Sequence, residues 1–328
     1  MRVGVVGATG YAGQQAVWWL ARHPELKLVT VASAHEAGGP TDSYFAGLPG
    51  IPNRFGSIGD LDHESLDVIF ACQGPGQLTA AIANWADGGA RVVDLSADFR
   101  FRDLAVYERY YGSHPMPVLA RHAVSGYADD PAMAYRGAKV VGNPGCYPTA
   151  FYMAIGPLVR EGVTLGTVLV DGKSGVSGAG RRPQTHLLMA EMAENVEAYS
   201  LPGEHRHTGE MEEAVAAPVV FQPHYMPIAR GMEVTIYLPG VSIGVRDVLA
   251  TWQRFYAGSP FVQIVMTGYP RTARVRGTNR AELAVRRDER TGTVVLYCAI
   301  DNLGKGAAGQ AIQHANRWLG LDPALGLL

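Results

Sequence analysis

The first 32 residues constrain the fold more than any other part of the sequence. An apolar run at Arg2–Val6 leads into a glycine-containing stretch, residues 7–13, and a helical pattern then precedes a second apolar run at residues 26–32. Glycines between a strand and a helix let the backbone approach a pyrophosphate at the helix N-terminus. The spacing is G-x-x-G-x-x-G rather than G-x-G-x-x-G, yet its place predicts a βαβ dinucleotide-binding unit. The expected contacts are Gly7, Thr9, Gly10, Tyr11, Ala12 and Gly13.

The end of the second strand bears on which dinucleotide is bound. NAD enzymes usually present an acidic residue there to hold the ribose 2′-hydroxyl. This strand is instead followed by Ser33, Ala34 and His35, with no acid before Glu36. A carboxylate would repel a 2′-phosphate, whereas a hydroxyl and an imidazole can donate to it, so the sequence favours NADP with Ser33 as a contact. A role for Ser33 in capping the loop is an equal alternative.

Strand and helix patterns continue to alternate up to Cys146. Three further strands and a helix are predicted at residues 66–71, 91–95, 140–142 and 77–86 respectively. The alternation predicts an α/β fold with a Rossmann-type doubly wound parallel sheet. Such sheets bind ligands at the carboxyl ends of their strands, which makes Gly74, Pro75 and Ser96 candidate cofactor contacts. A plain turn explains Gly74 and Pro75 equally well.

The second half of the chain changes in character. Strands are predicted at residues 168–171, 233–238, 261–266 and 294–300, and a helix at residues 243–257. Such runs of strands predict an α+β domain with a mainly antiparallel sheet. We expect a dinucleotide-binding domain at residues 1–145 and a catalytic and oligomerisation domain at residues 146–304. A last helix, at about residues 305–320, is expected to return to the first domain.

Cys146 has the surroundings of a nucleophile. Gly145 permits a sharp turn, Pro148 suits the first turn of a helix, and an apolar helical run follows at residues 150–155. A thiol at a helix N-terminus meets unpaired N–H groups and the positive end of the helix dipole, and both favour the thiolate. The alternative is a cysteine that only packs in the core.

Two polar clusters in the second half suit a thiol enzyme. Residues 204–210 contain His205, Arg206, His207 and Glu210, in which a histidine can exchange protons with a thiol and a carboxylate can orient its ring. A metal site or a charged helix start is the alternative reading. Residues 172–182 combine glycines, hydroxyls and cations, which suits binding of phosphate or carboxylate, although a solvent loop is also compatible.

Composition narrows the protein class. The 328 residues carry a net charge of −2, which gives no reason to expect nucleic acid or an anionic membrane as a partner. The three cysteines form no C-x-x-C pair, which argues against a disulfide framework and fits a reducing compartment. Neither a signal peptide nor an apolar stretch of spanning length is visible, so we expect a cytoplasmic protein.

Taken together, these stretches resemble the N-acetyl-γ-glutamyl-phosphate reductases of arginine biosynthesis, within the aspartate-semialdehyde dehydrogenase-like group. The shared stretches are GATGYAG at residues 7–13, DLSADFR at 94–100, NPGCYPTA at 143–150, GKSGVSGAGR at 172–181, HRHTGE at 205–210 and DNLGKGAAGQA at 301–311. The resemblance implies NADPH-dependent reduction of an acyl phosphate to a semialdehyde, by a homodimer or homotetramer. No metal is expected, because no further ligands of matching spacing lie near His205 and His207.

The resemblance also assigns roles to residues. It implies that Cys146 is the nucleophile and His205 the first candidate for the acid/base, with His207 and Glu210 beside it. Gly178 and Asn302 become further candidate cofactor contacts. The implied substrate contacts are Arg100, Asn143, Lys173, Ser177, Arg181 and Arg206.

Two other functions stay open at this point. The related lysine-pathway reductase acts on an aminoadipyl phosphate attached to a carrier protein, but tends to read G-C-N-A-T where this chain has residues 145–149 as G-C-Y-P-T. A non-catalytic NADP-binding sensor would leave Cys146 and the histidines unexplained. The chain also departs from the family pattern at residues 124–129 and at Gly209.

Overall fold

A computed structural model describes all residues from Met1 to Leu328. The chain divides into two compact units of interleaved segments. The first unit consists of Met1–Ala128, Met133–Pro144 and Ala307–Leu328, and the second of Asp129–Ala132 and Gly145–Gly306.

The first unit is built on a six-stranded sheet in which every strand pair is parallel. Its strands are β1 Arg2–Val6, β2 Lys27–Ala32, β3 Val68–Ala71, β4 Arg91–Asp94, β5 Val124–Ser125 and β6 Val140–Gly142. Their order is β2-β1-β3-β4-β6-β5, so β2 lies on one side of β1 and the later strands lie on the other, with β6 inserted between β4 and β5. The predicted doubly wound parallel sheet is confirmed, with its topological switch between β1 and β3.

Helices accompany this sheet. They are α1 Tyr11–Leu20, α2 Asp42–Phe45, α3 Thr79–Asp87, α4 Leu104–Tyr111 and α5 Pro117–His122. Val5 on β1 and Phe70 on β3 are fully buried, as are their apolar neighbours, because a parallel sheet with helices on its faces has no solvent side.

The second unit contains a seven-stranded mixed sheet. Its strands are β7 Val168–Gly175, β8 Glu197–Ala198, β9 Val219–Met226, β10 Met232–Leu238, β11 Val262–Ile264, β12 Ala281–Arg287 and β13 Val294–Ile300, in the order β11-β12-β13-β10-β7-β9-β8. Four strand pairs are antiparallel and two are parallel. The prediction of a mainly antiparallel sheet is therefore confirmed.

The core helix of the second unit is α6 Cys146–Arg160. Every residue from Tyr147 to Leu158 is buried, and Trp252 donates its indole N–H to the carbonyl oxygen of Ala154 at 2.8 Å. The other helices are α7 Met189–Met192, α8 His207–Val215, α9 Val245–Phe255 and α10 Thr272–Val275. A π-helical turn, Gly304–Ala308, then leads into α11 Gly309–Trp318, which contacts α1 and β4 in the first unit. No helix is both long and apolar enough to span a bilayer.

Three strands of the second sheet were not predicted from the sequence: the two-residue strand β8, β9 and β12. β9 contains Pro223, which lacks the N–H that a ladder needs and argues against an interior strand. β12 reads AELAVRR, which is rich in residues that favour helices. Both β9 and β12 form because their buried positions pack in the core, so tertiary contacts override local preference.

Candidate active site

The glycine loop of the first unit is shaped by its neighbours at two of its three glycines. Gly7 has φ +82°, and a Cβ there would lie 2.5 Å from the carbonyl oxygen of Cys72. A Cβ on Gly13 would overlap the carbonyl oxygen of Gly7. Gly10 differs, because a Cβ there would meet nothing closer than 3.5 Å. Position 10 lies at the N-terminus of α1, and packing within the fold does not require glycine there. A pyrophosphate bound against the backbone would require it.

Ser33 is occupied within its own loop. The side chain is buried, and its Oγ accepts hydrogen bonds from the amides of His35 and Glu36 at 3.3 Å each. The hydroxyl of Thr9 lies 3.1 Å away. Ser33 therefore caps the loop after β2, as the alternative reading proposed. The carboxylate of Glu36 accepts a hydrogen bond from the hydroxyl of Tyr44 at 2.9 Å.

Arg54, which was not predicted as a site residue, contacts the same loop. The amide of Gly56 donates to Val31 at 2.8 Å, so the segment before Gly56 runs along the end of β2. Arg54, in that segment, is exposed and donates from Nη1 to the carbonyl oxygen of Gly38 at 2.6 Å. An irregular segment so far along the chain from β2 carries no local signal of this placement.

The loops after β3 and β4 are tied together by one carboxylate. Asp98 accepts hydrogen bonds from the amide of Gly76 at 2.9 Å, the hydroxyl of Thr79 at 2.5 Å and the hydroxyl of Tyr107 at 2.9 Å. Asp98 therefore holds the loop that contains Gly74 and Pro75. Asp98 lies in the stretch at residues 94–100 that carries part of the resemblance, but its role in holding this loop was not predicted.

The other predicted residues after β4 also make internal contacts. Ser96 donates its hydroxyl to Asp94 at 2.5 Å, and burial raises the pKa of Asp94 to about 7. Arg100 donates to the carbonyl oxygens of Asn143 at 2.7 Å and Leu95 at 2.6 Å. Arg100 and Asn143, predicted as substrate contacts, are thus joined where β4 and β6 end.

The turn before Cys146 is held by side chains. Gly145 is the N-cap of α6, and its amide donates to Glu210 Oε1 at 2.9 Å. Its carbonyl oxygen accepts hydrogen bonds from the amide of Thr149 at 2.9 Å and from its hydroxyl at 2.8 Å. Cys146 is the first residue of the helix and half-buried. Glu210 Oε1 thus fixes the backbone of the nucleophile turn.

The two histidines lie beside this turn. His205 Nδ1 accepts a hydrogen bond from the amide of His207 at 3.1 Å, which places the proton of a neutral ring on Nε2. Burial, followed by the charge of Arg206, lowers the pKa of His205 to about 4, so the ring is neutral at pH 7. The His207 ring is so close to Gly145 that a Cβ there would lie 2.6 Å from its Nε2.

Tyrosines not predicted from the sequence complete the surroundings of Cys146. The buried ring of Tyr147 is 6.0 Å from His205, centroid to centroid, and perpendicular to it. Tyr199 and Tyr225 stack at 3.9 Å. Burial raises the pKa of Tyr147 and of Tyr225, so these phenols stay protonated near neutral pH and can donate hydrogen bonds.

The glycine-rich cluster at residues 172–182 divides between two faces of the sheet. Gly172 faces α6, where a Cβ would lie 2.5 Å from the ring of Tyr147. Lys173 lies on the opposite face and pairs with Asp171 at 3.0 Å, which also lies 3.1 Å from His224. The structure therefore brings Lys173 to these two side chains and not to Cys146.

The remaining candidates also lie in the second unit. Asn302 donates to the hydroxyl of Ser177 at 2.9 Å and accepts from the amide of Gly231 at 2.7 Å, with Gly178 in the same 3₁₀ turn as Ser177. Arg181 is exposed. No group of three or more His, Cys, Asp or Glu side chains is arranged to hold a metal ion.

Both units match known protein families. Residues 2–125 match the semialdehyde dehydrogenase NAD binding domain, and residues 146–302 match the semialdehyde dehydrogenase dimerisation domain. The chain is 38% identical to the N-acetyl-gamma-glutamyl-phosphate reductase of Nitrosospira multiformis and 40% identical to that of Aromatoleum aromaticum. Both alignments cover 100% of this chain and 98% of the relative.

Solved structures of lower identity share the fold. Aspartate semialdehyde dehydrogenase II of Vibrio cholerae superposes with a TM-score of 0.75 at 18% identity, over 97% of this chain and 98% of that one. The enzyme of Candida albicans, solved with NADP, gives a TM-score of 0.71 at 16% identity, over 95% of this chain and 96% of that one. With relatives aligned along its whole length, the chain is an oxidoreductase that belongs to the semialdehyde dehydrogenase family, among the N-acetyl-γ-glutamyl-phosphate reductases.

Proposed function

We propose that the protein reduces N-acetyl-γ-glutamyl phosphate to N-acetylglutamate semialdehyde and phosphate, with NADPH, through a thioester on Cys146. This places it in arginine biosynthesis. The observation that carries the proposal is the nucleophile turn, in which Glu210 holds the Gly145 amide and the neutral ring of His205 lies 6.0 Å from the ring of Tyr147, the residue after Cys146. The names of its full-length relatives support the choice of acyl group.

The position of Cys146 suits attack on an acyl phosphate. At the first position of α6, its sulfur meets the N–H groups of the helix N-terminus, which stabilise the thiolate. The thiolate attacks the carbonyl carbon, the bond from that carbon to the phosphate oxygen breaks, and phosphate leaves with the electron pair. The product of this step is the thioester. Phosphate is a good leaving group, so the demand on the protein is positioning and stabilisation of the oxyanion.

His205 is suited to stabilising the oxyanion. Its Nε2–H, fixed as a donor by the bond that Nδ1 accepts from the His207 amide, donates to the oxygen on which negative charge develops. A neutral donor keeps this role across the physiological pH range, because the pKa of His205 is lowered to about 4. We assign to His205 the donation of a hydrogen bond to the oxyanion, and to Glu210 the positioning of Gly145.

NADP fits the first unit. Gly10 leaves the backbone open at the N-terminus of α1, and Asp98 orders the loop after β3, on the same edge of the sheet. Arg54 supplies a cation beside the loop after β2, where NADP enzymes hold the 2′-phosphate. When bound, NADPH supplies the hydride that reduces the thioester to the aldehyde.

We also propose that the protein is a homodimer that pairs through the outer face of its second sheet. Tyr237, Leu169 and Val220 lie side by side on adjacent strands and are exposed by 38, 38 and 44%. A contiguous apolar row is typical of a protein interface, and the matching family carries the description of a dimerisation domain. Replacing Leu169 by Glu is expected to shift the sedimentation coefficient to that of a monomer, while an unchanged value would exclude this face. A homotetramer would need a second interface.

The reaction is tested in reverse with four alternative substrates. Purified protein receives phosphate, NADP and N-acetylglutamate semialdehyde, aspartate semialdehyde, aminoadipate semialdehyde, or the last of these attached to its carrier protein. We expect NADPH formation with N-acetylglutamate semialdehyde only. Turnover restricted to the carrier-bound substrate would replace the proposal by the lysine-pathway reaction, and NADP binding without any turnover would support a sensor.

A further inference from the structure

A fully buried ion pair in the second unit has no part in the mechanism above. Lys305 Nζ lies 2.5 Å from Asp129 Oδ2, with the two side chains 0 and 3% exposed. Ser259 donates to the same carboxylate at 2.7 Å, and the Lys305 ammonium sits 4.6 Å from the centre of the Phe261 ring. Desolvation of two charges makes such a pair weak as a source of stability, so its retention calls for another explanation.

Lys305 belongs to the π-helical turn Gly304–Ala308. The turn closes when the Gly306 amide donates to the carbonyl oxygen of Asp301 at 2.9 Å. The carboxylate of Asp301 accepts hydrogen bonds from the Leu303 amide at 2.9 Å and the Gly304 amide at 3.0 Å. Asp301 therefore anchors the start of the turn, and Lys305 anchors its middle. Single π-helical turns are frequent at functional sites.

The turn packs directly on the nucleophile. A Cβ on Gly306 would lie 2.8 Å from Cys146 Cβ and 3.2 Å from its Cα. The backbone of Gly306 is thus the wall against which the Cys146 side chain rests. Because Gly306 has an ordinary φ, its lack of a side chain serves this close approach and not an unusual backbone shape.

We infer that Lys305 is a positioning residue for Cys146: its ion pair with Asp129 locks the π-helical turn so that Gly306 sets the position of the nucleophile. The inference rests on the proposed function of Cys146 as the nucleophile. Lys305 touches neither substrate nor cofactor in this account and acts only through Gly306. Loss of the pair would let the turn relax and the thiol move away from the attacking geometry.

Alkylation of the thiol tests this inference independently of turnover. The second-order rate of iodoacetamide reaction at Cys146, followed by mass spectrometry of its peptide, is measured for Lys305→Met and for Gly306→Ala as a function of pH. We expect a fall of about tenfold in Lys305→Met, as for a small displacement of a reacting group, with kcat falling in parallel and KM for NADP unchanged. The alkylation rate in Gly306→Ala is expected to decrease by at least the same factor.

Two further variants keep the result interpretable. Arg160→Met breaks the Arg160–Asp130 pair, 2.7 Å long and at the far end of α6, and should leave alkylation unchanged even where it lowers the melting temperature. Asp129→Leu/Lys305→Met replaces the buried pair by apolar side chains, so it reports on positioning if the single variant does not fold. Wild-type alkylation rates in Lys305→Met or, if that variant is unfolded, in the double variant would overturn the inference. Loss of turnover with every substrate would instead count against the proposed function alone.

Discussion

The glycine loop of the first unit and the cysteine turn of the second each precede a helix N-terminus, but different contacts fix their backbones. Both place a helix N-terminus for chemistry with an anion or a thiolate. The constraint on Gly13 in the loop comes from Gly7 within the same short stretch, and the backbone of Cys72 adds one distant contact at Gly7. The turn is shaped from afar, by Glu210 and by Gly306. A contiguous motif can therefore specify the first site, whereas the second depends on side chains that only the fold brings together.

The largest effect is expected from the nucleophile itself. Cys146→Ala should abolish phosphate-dependent NADPH formation, with a loss of at least about a thousandfold, because no other group can form the thioester. The dissociation constant of NADP, measured by fluorescence quenching, should stay at its wild-type value, since Cys146 lies in the second unit. Residual turnover near the wild-type rate would contradict the account.

Substitutions of Glu210 test whether the cysteine turn depends on a side chain that is distant in sequence. Glu210→Ala removes the acceptor for the Gly145 amide, and we expect kcat to fall about a hundredfold through displacement of the thiol, with NADP affinity unchanged. Glu210→Gln retains an acceptor oxygen and should recover part of the loss. If both variants lost NADP affinity and kept the alkylation rate of Cys146, the assignment of Glu210 to the turn would be wrong.

Asp98 provides the matching test in the first unit. Asp98→Asn turns an oxygen that accepts from Thr79 or Gly76 into a donor, so the loop after β3 should loosen. Hydrogen bonds to a charged group contribute about 1.5–3 kcal/mol each, and we expect a rise of about tenfold in the dissociation constant of NADP. Iodoacetamide alkylation of Cys146 is the control. A variant that slows alkylation and leaves NADP affinity intact would reverse the comparison.

A substitution of Arg54 tests whether this residue sets the preference for NADP over NAD. Arg54→Gln should lower kcat/KM with NADP about tenfold, through loss of a charge-assisted contact to the 2′-phosphate, and leave kcat/KM with NAD unchanged. The ratio of the two constants is the readout, so a general loss of activity cannot mimic the effect. Equal losses with both cofactors would remove Arg54 from the 2′-phosphate site.

The smallest expected effect is the change in protonation of His205 with pH. Its pKa is lowered from its usual 6.5 to about 4, so its ring carbons should show no NMR titration step between pH 5 and 8. The unfolded chain takes up this proton near pH 6.5, and the folded state does so only near pH 4. His205 therefore lowers the free energy of unfolding as the pH falls from about 6.5 towards 4 and contributes nothing above that window. An NMR step near pH 6.5 would contradict the neutral-donor role.

The two regions also differ in how far sequence analysis could describe them. Five of the six strands of the first unit were predicted from hydrophobic runs punctuated by glycine, and β1 and β6 have the predicted bounds. The short strand β5 and the helices α2, α4 and α5 were not predicted. In the second unit, β9 and β12 were missed because Pro223 and a run of helix-favouring residues mislead local rules. Cys146 and its histidines lie in recognisable motifs, and their gathering at one turn is now a structural observation.

What local reasoning could not supply is the use to which each side chain is put. Ser33 caps its own loop, and its contact with a 2′-phosphate stays a prediction. Lys173 looked like an anion contact, but alternation along β7 turns it to the sheet face opposite α6. Arg54 and Lys305 were not singled out, although Lys305 lies in the shared stretch at residues 301–311, because the residues that they contact are distant in sequence.

The most direct test of the thioester on Cys146 omits phosphate. The protein is mixed with N-acetylglutamate semialdehyde and NADP, and NADPH formation and the intact protein mass are followed together. The account predicts a burst of about one NADPH per subunit, with an added N-acetylglutamyl group on Cys146, and steady turnover once phosphate is supplied. Sustained turnover without phosphate, or the same adduct in Cys146→Ala, would contradict it.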